Sequence, residues 1–414
     1  MRIIKMSKKN GFSIMPISSL FFSITFLAIG YGMVLTFIGV YLKKNGINDI
    51  SIGIINACFF LGAILSSIFS QSIISKVGHI RSYTNFAALM VITFLIQYLF
   101  FNEVLWGILR FIAGFCYFSI LIIIESWLNE KSTTDIRGKV LAIYEIIFYL
   151  STALGQLFLT VDDLSSSIFI LGSILVLVSI PSIALTKIKE PKLLPFERYS
   201  LPKIYDIVPL ATTTSFIGGI FIGSFFTMAP VYVLEKYHSV DVVSYFMITV
   251  ILGGLIAEWP IGIVSDKYGR RKIIAIVSFI TAITSSLFLF IGQDTNLLYG
   301  CAFLLGLTIF SLYPLSLARA NDVLNEDSDI LEISRTLLFT YGLGSFVAPI
   351  IVGVLFKYYN DAMFIMYALI GLFLTFYSLS KKRVADDELS TFVNVPLSSG
   401  ADIAHLDPRV EENN

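Results

Sequence analysis

Charged residues are scarce in this chain. Aspartate, glutamate, lysine and arginine make up 14% of its 414 residues, against roughly 25% in a typical soluble domain. Hydrophobic residues make up 56%, and the mean hydropathy is +0.83. So little charge excludes a surface that faces water over most of its area, and the balance of 29 basic and 29 acidic residues gives no positive excess for nucleic-acid binding. The composition predicts a protein surrounded largely by lipid.

Cysteine and histidine are also rare, with three of each. Cys58, Cys116 and Cys301 lie within apolar segments, where isolated thiols pack as small hydrophobic side chains more often than they form disulfides or bind metals. The histidines form no His-Glu-x-x-His motif, and no pair of aspartates lies in the middle of an apolar segment. We therefore expect no cofactor, no metal site and no intramembrane enzyme.

Long apolar segments, by contrast, follow one another through most of the chain. A membrane core of ~30 Å needs about 20 apolar helical residues to cross it. The first segment is too long for a signal peptide and is followed by no cleavage site. We predict twelve transmembrane helices, at residues 17–42, 51–75, 82–101, 104–128, 138–160, 166–186, 207–234, 241–264, 272–291, 295–319, 331–357 and 361–380.

The basic residues distinguish the two sides of the membrane. Most of the 29 lysines and arginines fall in the N-terminal segment, in the even-numbered loops and after the last helix. The opposite side has only Lys43, Lys44, Lys236 and Lys357, while Arg110 lies within the fourth helix. Because cytoplasmic loops carry the excess of lysine and arginine, this pattern predicts that both termini are cytoplasmic.

The two halves of the chain resemble each other. A shift of 191 residues matches Gly32 with Gly223 and Tyr41 with Tyr232 in helices at corresponding places. The sequence therefore predicts an all-α membrane protein, with twelve transmembrane helices in two six-helix bundles related by a pseudo-twofold axis. We predict an N-terminal bundle (1–186), a cytoplasmic linker (187–206), a C-terminal bundle (207–380) and a disordered, acidic cytoplasmic tail (381–414).

A motif rich in glycine and cations occupies the loop after the eighth predicted helix. Residues 262–272 read Gly-Ile-Val-Ser-Asp-Lys-Tyr-Gly-Arg-Arg-Lys, whereas the corresponding loop at 71–81 retains only part of this pattern. The fourth helix contains Arg110-Phe-Ile-Ala-Gly114. In these elements, residues 17–380 resemble the major facilitator superfamily of secondary transporters. Further short elements resemble its bacterial YcaD-type branch, namely Glu125-Ser126, Leu154-Gly155-Gln156, Trp259-Pro260-Ile261-Gly262 and Tyr313-Pro314.

The resemblance implies that the loop after the eighth helix is a gating motif, a latch that favours the outward-facing state. An anchor that only fixes the topology is the alternative. Gly262 permits close helix packing, Gly269 supplies a turn, and we expect Asp266 to interact with the positive N-terminus of the fifth helix near Gly138. The motif residues are Gly262, Asp266, Lys267, Gly269, Arg270 and Arg271.

Ionisable side chains within the predicted helices are candidates for function, because a charge at the bilayer centre costs ~2.5–3.5 kcal/mol. Helical periodicity places Arg110 and Glu125 on one stripe of the fourth helix, and Glu145, Tyr149 and Gln156 on one face of the fifth. Candidates for solute binding or proton coupling are Arg110, Glu125, Glu145, Tyr149, Gln156 and Glu258. An interhelical contact that only holds the helices in register is the alternative for the charged residues.

Aromatic residues give weaker indications. Tyr31, Tyr149, Tyr313 and Tyr341 are candidates to line a cavity, although most of the 20 tyrosines are expected only to pack. Trp106 and Trp127 flank the fourth helix and are predicted to lie in the aromatic belt at the membrane interface.

These observations predict a secondary active transporter, monomeric, in a bacterial inner membrane. We expect it to move a small-molecule solute by rocker-switch alternating access and to be coupled to protons, because a low dielectric disfavours ionised carboxylates. The fifth helix lacks the Gly-x-x-x-Gly-Pro element that the superfamily's drug antiporters carry, and Arg110 is cationic. Both favour uptake of a polar or anionic metabolite. A drug/proton efflux antiporter and a non-transporting receptor or scaffold are the alternatives.

Overall fold

The computed structural model describes residues 18–132, 134–160, 167–185, 208–323 and 330–382, which are almost entirely helical. The predicted linker (187–206) and nearly all of the predicted tail (381–414) lie outside these residues. The described helices are α1 (Ser18–Lys44), α2 (Asp49–Val77), α3 (His79–Leu99), α4 (Glu103–Lys131), α5 (Thr134–Leu157), α6 (Ser167–Ala184), α7 (Pro209–Tyr237), α8 (Val240–Tyr268), α9 (Arg270–Leu287), α10 (Thr295–Ile309), α11 (Leu312–Asn321), α12 (Ile330–Phe356) and α13 (Ala362–Ser380).

The length and hydropathy of these helices fit membrane spans. Within the described ranges, eleven segments are long and apolar enough to cross a membrane. The helix that falls outside this set is α9, which begins with Arg270, Arg271 and Lys272 and is therefore less apolar than the others. It packs against α10 and α13 as a regular member of the bundle.

The tenth predicted helix, 295–319, is not continuous. It is divided at Phe310 and Ser311 into α10 and α11, which together make one membrane span. Pro314 lies in the first turn of α11 and has no N–H to bond to the carbonyl group of Phe310. The Ser311 N–H instead donates to the Thr308 carbonyl oxygen at 3.3 Å, in a tighter turn. The expectation of one uninterrupted helix is corrected accordingly.

The two halves of the chain pack in the same way. A Cβ atom on Gly62 of α2 would lie 2.1 Å from the Phe111 carbonyl oxygen, and one on Gly253 of α8 would lie 2.4 Å from the Phe303 carbonyl oxygen. The corresponding turns, at Gly78 and at Gly269, have φ values of 94° and 85°. Both pairs are related by the shift of 191 residues seen in the sequence. Glycine is required at such close approaches and positive φ angles, so the repeat in the sequence reflects a repeat in the packing.

Among the described helices, the most extensive contacts between the halves are those of α1 with α7, α2 with α12, and α5 with α8. We call the side where α1 ends and α2 begins the Lys43 end, and the side where α8 ends and α9 begins the Gly269 end. At the Lys43 end the halves touch. A Cβ atom on Gly53 would lie 2.2 Å from the Pro349 carbonyl oxygen, and one on Gly353 would lie 2.4 Å from that of Asp49.

An ion pair crosses the same seam. The Lys43 Nζ atom lies 2.7 Å from Asp49 in its own half and 3.2 Å from Glu235 in the other half. Close backbone packing and this ion pair together close the Lys43 end of the bundle.

The two tryptophans of the fourth helix are buried and do not face lipid. The side chains of Trp106 and Trp127 are 0% exposed. The indole N–H of Trp106 donates to the Phe100 carbonyl oxygen at 2.8 Å, and its ring stacks on Tyr41 at 5.4 Å. The prediction of an aromatic belt is therefore wrong for these two residues, because helices of the same bundle cover them. Trp259, by contrast, is 80% exposed.

Candidate functional site

A cavity of about 140 Å³ lies between the two halves. Its wall comes from the middle of α1, α2, α4, α5, α7, α8 and α12, and from the break between α10 and α11. The four tyrosines singled out in the sequence, Tyr31, Tyr149, Tyr313 and Tyr341, all line it. A site between two bundles at mid-membrane is the position in which a transporter of this architecture binds its solute.

Of the four charged candidates within the helices, the three glutamates line this cavity and Arg110 does not. Glu125, Glu145 and Glu258 contribute to its wall and are each 2–6% exposed. Glu125 and Glu145 belong to the first half and Glu258 to the second. The cavity therefore brings together acidic groups that are far apart in the sequence.

Glu258 is connected to the first half by a hydrogen bond. The Tyr149 hydroxyl of α5 donates to Glu258 Oε1 of α8 at 2.8 Å, and both side chains are buried. Glu145 precedes Tyr149 by one helical turn and so lies on the same face of α5. A hydrogen bond to a charged acceptor is roughly twice as strong as one between neutral groups. The strength of this contact between the halves consequently depends on whether Glu258 carries a proton.

Glu125 has an equivalent contact that stays within the first half. The Tyr144 hydroxyl of α5 donates to Glu125 Oε1 of α4 at 2.9 Å, and Tyr144 also lines the cavity. This pair offers a natural comparison with Tyr149 and Glu258, because it joins a tyrosine and a glutamate without joining the two halves.

Arg110 is not part of the cavity wall. Its guanidinium carbon lies 4.5 Å from the centre of the Phe59 ring, and Nη2 donates to Asn56 Oδ1 at 3.5 Å. The rings of Tyr31 and Tyr117 stack at 3.8 Å and, with Phe59, line the cavity. The fully buried arginine packs against these cavity-lining aromatic residues, so it gives no support for an anionic solute.

Gln156 is likewise outside the cavity wall. Its side-chain amide N–H donates to the Gly32 carbonyl oxygen at 2.9 Å, and its backbone carbonyl oxygen accepts from the Ser244 hydroxyl of α8. It connects α1, α5 and α8 beside the cavity. This arrangement gives Gln156 a role in holding the helices together.

The residues predicted to form a gating motif make a set of contacts at the Gly269 end. Arg270 forms an ion pair with Asp266, four residues earlier. Its Nε also lies 3.6 Å from Oδ2 of Asp322, the residue that follows α11. Arg271 donates to the Lys381 carbonyl oxygen at 2.5 Å, which ties the start of α9 to the end of α13.

The other motif residues act locally. Gly269 has a φ of 85°, the left-handed region that a turn between two helices requires here. Gly262 is buried within α8. Lys267 lies with its Nζ 5.5 Å from the Tyr268 ring. The expected interaction of Asp266 with the start of α5 stays a prediction.

Two acidic residues that form ion pairs at the ends of the bundle were not selected from the sequence. The acidic partner Asp322 and the ion-pair partner Glu235 come from loops and helix ends, where charged residues are common and carry no distinguishing pattern. One signal was available, since Lys43 and Lys236 are exceptions to the charge bias between the two sides. Both form ion pairs, Lys43 with Asp49 and Glu235, and Lys236 with Asp361 at 3.3 Å.

Comparison with known proteins agrees with this architecture. The family model described as Major Facilitator Superfamily matches residues 20–256 and 211–399. The "Uncharacterized MFS-type transporter YcaD" of Escherichia fergusonii is 25% identical over 358 residues, which cover 85% of this chain and 92% of the relative. An "Uncharacterized MFS-type transporter" of Yersinia enterocolitica is 26% identical over 397 residues, covering 92% and 98%. The resemblance to the YcaD-type branch is confirmed.

Solved structures show the same fold. The nucleoside transporter NupG superposes with a TM-score of 0.74 at 16% identity, over 88% of this chain and 99% of its own. The D-xylose-proton symporter superposes with a TM-score of 0.71 at 14% identity, over 94% and 99%. At these identities the likeness concerns the arrangement of the helices alone. It confirms the predicted fold of two six-helix bundles.

Proposed function

The chain belongs to the Major Facilitator Superfamily, and we propose that it is a secondary active transporter that couples the movement of a small solute to protons by alternating access. The cavity between the halves is the solute site, and a single chain supplies both halves that enclose it. The Lys43 end faces the periplasm in this proposal, because the basic residues favour the opposite end for the cytoplasm.

The hydrogen bond from Tyr149 to Glu258 is the observation that carries the proposal. It joins α5 of one half to α8 of the other, across the cavity, at 2.8 Å. A hydrogen bond to a charged group contributes about 1.5–3 kcal/mol and a neutral one about 0.5–1.5 kcal/mol. Protonation of Glu258 therefore weakens a contact between the halves by about 1 kcal/mol, which changes the ratio of two conformations roughly fivefold.

Glu145 is the second proton-coupling group in this proposal. It lies on the cavity wall one turn from Tyr149. A proton taken up there lowers the charge of the cavity in the same step. The two glutamates thus couple the protonation of the cavity to the relative position of the halves.

The test measures conformation against pH and needs no knowledge of the solute. Spin labels on cysteines at positions 104 and 296 report the separation of the halves at the Lys43 end, since Val104 and Asn296 are exposed at the starts of α4 and α10. The native cysteines are replaced by alanine, and double electron–electron resonance is recorded in lipid nanodiscs over a range of pH. We expect lower pH to reduce the fraction with the Lys43 end closed.

Two variants assign the response to the proposed contact. Glu258→Gln and Tyr149→Phe should both abolish the pH dependence of the distances. Tyr144→Phe is the matched control, because it removes a tyrosine–glutamate bond that lies within one half, and should keep the response. If Glu258→Gln and the parent protein respond to pH alike, proton coupling through this residue is refuted.

A further inference from the structure

The charged side chains on the cavity wall are all acidic among the described residues. Glu125, Glu145 and Glu258 line the wall, and the described residues that line it include no lysine, arginine or histidine. Arg110, the cation that the sequence analysis selected as a candidate, packs against Phe59 and lies outside this wall. A wall with three acidic groups favours a positively charged ligand.

The remainder of the wall is largely aromatic. The Tyr149 and Phe310 rings meet edge to face with their centres 5.6 Å apart, and Tyr313 lies 4.8 Å from Tyr341. Aromatic faces attract cations, by about 0.5–1 kcal/mol where exposed and about 2 kcal/mol where water is excluded. They also stabilise the apolar body of a solute. Acidic and aromatic groups on one wall suit the same kind of ligand.

A buried hydroxyl group on the same wall lacks a partner. Tyr313 is 2% exposed, lines the cavity beside the break before α11, and its Oη forms no hydrogen bond within the described ranges. An unpaired buried hydroxyl costs about 1–3 kcal/mol. A bound solute with a polar group would satisfy it.

We infer that the solute is a small organic cation with an aromatic or otherwise apolar body, and that it exchanges with protons at Glu145 and Glu258. The inference rests on the proposed function and specifies its substrate class. A proton and a cationic group both neutralise the same carboxylates, so each displaces the other. This competition gives exchange of solute against protons, the antiport alternative, and it replaces the anionic metabolite that Arg110 had suggested.

The experiment compares three probes that share a benzyl group and differ in charge. These are benzyltrimethylammonium, a fixed cation, benzyl alcohol, which is neutral, and phenylacetate, an anion. Thermal unfolding of the detergent-purified full-length chain is followed by tryptophan fluorescence at millimolar probe concentrations. We expect benzyltrimethylammonium alone to raise the midpoint of unfolding. Its apparent affinity should weaken as the pH is lowered, approaching tenfold per pH unit for one proton exchanged per cation.

Variants identify where the cation binds. Glu145→Gln and Glu258→Gln should each weaken the apparent affinity by about tenfold or more, since each removes one carboxylate from a partly desolvated pair. Tyr313→Phe should weaken binding of a hydroxylated cation such as tyramine but not that of benzyltrimethylammonium. Glu103→Gln is the control, because Glu103 is exposed at the start of α4 and outside the cavity wall, and should bind as the parent does.

The outcomes separate this inference from the proposed function. Equal stabilisation by the neutral and cationic probes, preference for phenylacetate, or no response to any probe would each overturn the cationic solute. The pH-dependent distances at the Lys43 end can remain intact in all three cases, in which case proton coupling stands. Loss of those distance changes instead overturns proton coupling itself.

Discussion

Replacement of Gly53 by alanine should open the Lys43 end of the bundle. Gly53 of α2 faces α12 at the seam between the halves, and its new Cβ atom would lie 2.2 Å from the Pro349 carbonyl oxygen. Atoms in normal contact are separated by more than 3 Å, so the helices must move apart by roughly 1 Å. The contact is with backbone atoms, which cannot rotate away as a flexible side chain could.

The size of the effect follows from the cost of overpacking. Added methyl groups in a close-packed interior cost about 1–3 kcal/mol, and here the strain exists only while the two halves touch. The ratio of open to closed conformations should rise by roughly 5–150-fold. The conformation closed at the Gly269 end is thereby favoured. The opposite side of the same seam offers a repeat of the test, because Gly353→Ala would place a Cβ atom 2.4 Å from the Asp49 carbonyl oxygen.

The assay uses the spin-label distance between positions 104 and 296. Gly53→Ala should lengthen the mean distance at the Lys43 end relative to the parent protein at the same pH. Gly300→Ala is the control, because a Cβ atom there would have nothing within 4 Å, while the gain in helix propensity of up to about 1 kcal/mol is the same. If Gly53→Ala and Gly300→Ala give the same distance distribution, the close seam does not limit opening, and the reasoning is wrong.

Three further substitutions test separate features. Lys43→Gln removes the ion pair with Glu235, whose side chains are 22% and 31% exposed. The ratio of open to closed conformations, read from the same spin-label distance, should change by no more than about fivefold, and by less at high salt. A change larger than that of Gly53→Ala would contradict the close backbone packing as the main contact that closes the Lys43 end. Asp322→Asn removes a negative charge that neutralises the fully buried Arg270. The free energy of unfolding should fall by about 3 kcal/mol, measured as a lower midpoint of thermal unfolding. An unchanged midpoint would contradict a structural role for this ion pair. Trp259→Phe should remove most of the quenching by brominated lipids, since the other two tryptophans are buried; quenching that persists in this variant would refute the membrane-facing position of the residue.

The predicted fold was correct because its signals are local. Hydropathy over about 20 residues identifies a membrane helix whatever its neighbours are, and the glycines at 32, 62 and 78 recur at 223, 253 and 269 because close packing and positive φ angles exclude other residues. The exceptions have equally specific causes. Pro314 interrupts the tenth span, and neighbouring helices bury Trp106 and Trp127.

The candidate site could be predicted only in part. Glu125, Glu145, Tyr149 and Glu258 were selected from the sequence because they are polar within apolar helices, and the structure places all four on one cavity wall. Helical periodicity also grouped Arg110 with Glu125. Fifteen residues along a helix correspond to ~22 Å, so a shared stripe did not place both side chains at one site.

The sequence by itself determined that the chain crosses a membrane repeatedly, in two matching halves, and which buried polar residues are available for transport. Only the tertiary structure decided which of them meet. The hydrogen bond between Tyr149 and Glu258 joins residues 109 positions apart. The exclusion of Arg110 from the cavity depends on how Tyr31 of α1, Phe59 of α2 and Tyr117 of α4 pack against one another. Contacts of this kind arise from the rotation and depth of each helix against its neighbours, which hydropathy and periodicity along one helix do not specify.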